Sequence, residues 1–137
     1  AILAGEPVNV FNHGNMQRDF TYIDDIVEGV IRVLDRNATV NAEYDPISAD
    51  PATSNAPYRV FNIGNNNPVQ LLDFIGAIEK ALGMAAEKRL LPLQDGDVPA
   101  TYADTALLND WVGSVPATPI QEGVSRFIAW YRDYYKV

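Results

Sequence analysis

Apolar residues recur at three- and four-residue steps in three places along the chain, the spacing of helices with one buried face. The first run holds Ile23, Ile26, Val27, Val30, Ile31 and Leu34; Asp24 sits where an N-cap belongs. The second holds Leu71, Leu72, Ile75, Ile78 and Leu82. Asn67 as cap, Pro68 in the first helical position and Gln70 three residues after the cap announce it, and Gly83 stops it. The third holds Ile120, Val124, Phe127, Ile128 and Tyr131 behind Thr118-Pro119-Ile120-Gln121, a capping box with proline in the first turn. A shorter helix is predicted over 106–112.

Between these runs, the stretches 8–11 and 58–63 read as short strands, and 88–93 as another extended segment. Strand 58–63, its Asn65-Asn66-Asn67 turn and the helix after it make half of a βαβ unit, so the fold class is α/β. Residues 12–15 form a turn. From 37 to 57 the pattern dissolves into Asn, Asp, Ser, Ala, Thr and prolines, a long surface loop. The opening AILAG resembles the last turn of a helix, which suggests a piece of something longer.

With 137 residues the chain fits one domain. A net charge of −8 argues against a nucleic-acid backbone partner, which needs clustered Lys and Arg; a small anionic ligand needs only one or two cations. The absence of cysteine removes thiolate sites and disulfides and suits a reducing cytoplasm, while the single His13, expected in a solvent-facing turn, argues against a His-based metal site or triad. No apolar run approaches the roughly 20 residues of a membrane helix. The nine glycines never take a G-x-G-x-x-G spacing, and no tyrosine has a lysine four residues later, so these residues supply neither a dinucleotide turn nor a Tyr/Lys pair.

Candidate chemistry falls on two polar stretches that combine acids with aromatics, MQRDFTYIDD and QDGDVPATYAD. Arg18 has two readings: a two-pronged contact to phosphate, or an internal ion pair with Asp19, Asp24 or a helix terminus. Composition by itself favours the ion pair. Asp24 and Asp25 read as cap and first-turn acids. Asp97, after Gly96, reads as an acceptor for sugar hydroxyls or as part of a plain turn. The aromatic cluster Phe127, Trp130, Tyr131 and Tyr134 reads as core and interface packing.

Taken in order, RDFTYIDDIVEGVIRVLD, PYRVFNIGNNNPVQLLDFI, LPLQDGDVPATYAD and PATPIQEGVSRFIAWYRDYY resemble the C-terminal part of the extended short-chain dehydrogenase family. Within that family the sequence is most similar to UDP-glucuronate 4-epimerase and related nucleotide-sugar epimerases. The resemblance implies a Rossmann-type fold whose N-terminal NAD-binding domain is absent from these residues, leaving 1–137 as the substrate-binding region. It implies a UDP-sugar substrate, a homodimeric parent and a reaction by C4 oxidation, rotation and reduction, in capsule or lipopolysaccharide precursor synthesis. By position, Arg18 matches the arginine on the substrate diphosphate and Phe20 an aromatic that is tyrosine in UDP-galactose epimerases. Asp97 matches the acid near the nucleoside; Gln94 stands where some relatives have arginine, Thr101 where the galactose epimerases have tyrosine, and Asn67 near the uracil site. A different class of function, a stand-alone sugar-nucleotide-binding or protein-interaction module, and a related UDP-sugar epimerase or decarboxylase remain alternatives.

Overall fold

The computed structural model describes residues 1–137. The N-terminal turn closes as helices do at their C-terminal ends: Gly5 N–H bonds to Ile2 O, Glu6 N–H to Ala1 O, and Gly5 takes φ 69°. Strand β1, Val8–Val10, follows and leads into a 3-10 turn, Phe11–Gly14. Asn12 and His13 are both left-handed in that turn, and it points the chain into a two-residue strand β2, Gln17–Arg18. Helix α1 spans Ile23–Leu34; a two-residue strand β3, Val69–Gln70, runs directly into α2, Leu71–Leu82. Strand β4, Lys88–Leu90, the short helix α3, Ala106–Val112, and the last helix α4, Ile120–Tyr135, complete the chain.

Two small sheets organise these elements. β1 and β4 pair in parallel, Val8 opposite Lys88, and β2 and β3 pair antiparallel, Gln17 opposite Gln70. α2 lies on α4, and their contact holds the apolar core: Ala77, Val124 and Ile128 are buried, with Phe74, Ile78, Leu82 and Ile120 packed around them. A Schellman motif ends α2, with Gly83 at φ 69° and Met84 N–H bonded back to Glu79 O. The α/β class and most of the helix limits agree with the hydrophobic pattern, α3 to the residue. No helix is long and apolar enough to cross a membrane.

Several local expectations are overturned, each by a tertiary competitor. The stretch 58–63 joins no ladder; only an isolated bridge links Thr53 and Arg59, because no strand of this chain lies beside it. Residues 69 and 70 spend their backbone on β2, so α2 starts at Leu71 with Gln70 as N-cap, and Asn67 is not its cap. Asp24 does not cap α1 either: Tyr22 is the N-cap and Asp24 falls in the first turn. The capping box at Thr118 is not made, since Pro119 holds the N-cap position and the Thr118 hydroxyl donates to Asp25 instead.

The buried face predicted for α1 is mostly uncovered. Ile23, Val27, Val30, Ile31 and Leu34 are all exposed, while Asp25 and Gly29 are its buried residues. Phe127, Trp130 and Tyr134 of α4 are likewise half to two-thirds exposed, packing on one another instead of filling a core. The accessible surface is 9021 Å², against about 7,100 Å² for a compact folded monomer of 15.1 kDa. The excess, roughly 1,900 Å², is more than the about 800 Å² that one partner buries in a standard protein–protein interface.

Candidate functional site

β2 is the strip on which the site is built. On one side it pairs with β3; on the other, Gln17 N–H bonds to Pro99 O at 2.8 Å and Thr101 N–H to Gln17 O at 3.2 Å. These bonds bring the loop that precedes β3 and the segment around residue 100 to β2 from its two sides. Arg18, half-buried, lies at the meeting point.

The Arg18 guanidinium donates through Nη2 to Asp97 Oδ1 at 2.8 Å and through Nη1 to the carbonyl of Gln17 at 2.8 Å. Its ion-pair partner is therefore Asp97, 79 residues away, and neither Asp19 nor Asp24. A guanidinium carries five N–H donors, so most of the fork stays available to an incoming oxyanion. Asp97 Oδ1 also accepts the N–H of Val98 at 2.8 Å, whereas Oδ2 has no protein partner and is left to accept from a hydroxyl. Gly96, at φ 82°, makes the sharp turn that Asp97 N–H closes on Gln94 O at 3.1 Å. The exposed Gln94 side chain has no protein partner.

Thr101 Oγ1 accepts the Asp19 N–H at 3.4 Å, which sets that hydroxyl beside the Arg18 strip. Asn67 is exposed, and its backbone N–H donates to Asp19 Oδ1 at 3.2 Å. Phe20 stacks on Phe74 with ring centroids 4.0 Å apart and planes 14° from parallel. It lines a mainly apolar cleft of about 350 Å³ with Tyr22, Ile23, Ile120 and Phe127, a cleft that Arg18 and Asp97 do not line. The structure thus gathers Arg18, Asp97, Thr101 and the Asn67 backbone at one edge, with the Phe20 ring against α2.

Two further acids prove central to the geometry. Asp19 accepts backbone N–H groups from both neighbouring loops. Asp25, only 4% exposed, accepts the Thr118 N–H at 2.7 Å and the Thr118 hydroxyl at 2.8 Å. Both partnerships join residues more than 40 positions apart, so no local pattern marks them. The only sequence hint is the density of acids around Phe20.

Nicotinamide cofactors are held by a glycine-rich turn from a strand into a helix N-terminus. The N-caps here are Tyr22, Gln70, Thr105 and Pro119, and the β3–α2 junction has no glycine. These residues do not fit such a cofactor. Nor does any cluster of three His, Asp or Glu side chains form a metal site.

Residues 1–64 match the NAD dependent epimerase/dehydratase family. The chain is 49% identical over 136 residues to Protein CapI of Staphylococcus aureus, covering 99% of this chain and 41% of that protein. It is 41% identical over 137 residues to a probable UDP-glucuronate 4-epimerase of Rhizobium meliloti (strain 1021), covering 99% and 40%. Among solved structures, the UDP-glucuronic acid 4-epimerase of Bacillus cereus, in complex with UDP-glucuronic acid and NAD, superposes with a TM-score of 0.76 at 26% identity. That match covers 97% of this chain and 37% of that one. The resemblance read from the sequence is borne out, and the chain spans about two-fifths of the length of these relatives.

Proposed function

We propose that residues 1–137 are the substrate-binding region of an NAD-dependent nucleotide-sugar 4-epimerase that interconverts UDP-glucuronate and UDP-galacturonate. The observation that carries this reading is the Arg18–Asp97 pair, in which an arginine on β2 and an aspartate of a distant loop meet at 2.8 Å. The relatives whose names give UDP-glucuronate supply the sugar nucleotide. In this reading Arg18 grips the diphosphate, Asp97 Oδ2 accepts a hydroxyl on the nucleoside side, and the Thr101 and Asn67 loops close the pocket. Phe20 supports the strip through Phe74 and offers no polar contact.

Anchoring the diphosphate suits an epimerase on physical grounds, because binding energy drawn from a remote group holds the substrate without restricting the ring that must turn over. The NAD and the proton-transferring side chains are assigned to residues outside 1–137, so this chain alone binds and does not turn over substrate. The parent is placed in the cytoplasm as a homodimer, supplying an activated uronic acid to capsule or lipopolysaccharide assembly.

Titration calorimetry with UDP tests the site. Binding by residues 1–137 should fall at least tenfold in Arg18→Ala, since a hydrogen bond to a charged group is worth about 1.5–3 kcal/mol. Arg18→Lys should restore only part of it, for want of the planar fork. Equal affinity in all three would overturn the assignment of Arg18. Formation of a decarboxylated or dehydrated sugar from UDP-glucuronate by the longer protein would overturn the reaction class.

A further inference from the structure

The Asp19 carboxylate is the point at which the loops of the candidate site meet. Oδ2 accepts the N–H of Asn66 at 3.1 Å and of Ala103 at 3.3 Å, Oδ1 accepts the N–H of Asn67 at 3.2 Å, and Asp19's own N–H goes to Thr101 Oγ1. Asp19 forms no salt bridge, because the adjacent Arg18 is turned to Asp97, so its charge is balanced by backbone dipoles.

Three donors converging on two oxygens suit a carboxylate and not an amide. An asparagine would present one oxygen and set its NH₂ against an N–H. The carboxylate is also closely packed against the 64–67 loop. A Cβ at Gly64 would lie 2.9 Å from Asp19 Oδ2 and 2.4 Å from the Ala103 Cβ, so glycine is required there by close approach.

We infer that Asp19 is a positioning residue for the anion site: it locks the 64–67 and 101–103 loops onto β2, and so fixes where Thr101 and Asn67 stand relative to Arg18. This inference rests on the proposed UDP-sugar reading for its ligand, and on the hydrogen bonds alone for the lock.

The experiment uses ¹⁵N-labelled chain, with amide exchange and UDP titrations followed well below the melting temperature. In Asp19→Asn, exchange at Asn66, Asn67 and Ala103 should quicken at least tenfold while amides of α2 and α4 hold. UDP affinity should fall about tenfold, the equivalent of 1.4 kcal/mol. The salt dependence of UDP binding should remain, because the Arg18 contact is kept; Arg18→Ala should flatten it. A purely structural residue would lower the melting temperature and leave the affinity of the folded protein alone. Gly64→Ala, which forces the lock open with the carboxylate still present, should reproduce the loss and covers the case in which Asp19→Asn does not fold. Unchanged exchange at the three amides, or faster exchange with unchanged UDP affinity, overturns the inference. If the unaltered chain binds no UDP, the substrate reading fails; the three amides then decide the lock by themselves.

Discussion

Asp25 is an isolated carboxylate held at the junction of two helix N-termini, and replacing its partner hydroxyl should be costly. It stands in the first turn of α1, and Thr118 immediately precedes the N-cap of α4. Both helix dipoles therefore favour the charge, and no cation pairs with it. Thr118→Val keeps the shape of the side chain and the N–H bond at 2.7 Å, but removes the hydroxyl bond at 2.8 Å. With Asp25 only 4% exposed, water does not readily replace the lost donor, and a bond to a charged group is worth about 1.5–3 kcal/mol. At about 2.1 cal/mol/K of unfolding entropy per residue, 137 residues carry roughly 0.3 kcal/mol/K. A loss of about 2 kcal/mol then lowers the melting temperature by about 7 °C. Thermal unfolding followed by far-ultraviolet circular dichroism measures this, with Thr118→Ser as the control that retains the hydroxyl. Serine and valine variants melting together would refute the argument, since only the hydroxyl separates them in this account.

Glu79 accepts hydrogen bonds from the Lys88 ammonium and from the Ala86 N–H, tying α2 to β4, and these hold its carboxyl below its usual value of 4.5. A depressed folded-state value means that the stabilisation is present above the usual value and is lost as pH falls through the lower one. Glu79→Gln should therefore flatten the pH dependence of melting in the acid range, by a small and salt-sensitive amount because water reaches the pair; an unaltered acid slope would discount the contact. The uncovered face of α1 predicts self-association of the isolated chain. Sedimentation velocity should show species above the monomer that vanish in Val27→Glu/Ile31→Glu, whereas a sharply melting monomer at all concentrations would count against it.

The apolar spacing and the punctuating glycines determined much of the molecule locally. Gly83 stops α2 because a left-handed residue after the last turn is a property of a few consecutive bonds, and the stripes of α2 and α4 meet because both must bury one face. Arg18, a charge before an apolar stretch, and Asp97, a carboxylate after a glycine turn, could be singled out for the same reason, since both signals are legible in a few consecutive residues. Capping was not, because a cap is a competition for hydrogen bonds. Thr118 had a partner three residues away on paper and a buried carboxylate 93 positions away in space.

What only the tertiary structure decided is which distant groups meet. Placing Asp97 on Arg18 and Asp19 on three backbone amides requires the register of β2 between β3 and residue 100, and placing Asp25 on Thr118 requires the starts of α1 and α4 to meet; nothing within a local window encodes either. It also decided which apolar faces stay bare. An amphipathic stripe says that a face seeks cover; α1 and the outer side of α4 show that within these 137 residues the cover is absent. Burial is a property of neighbours, and periodicity records only the preference for having them.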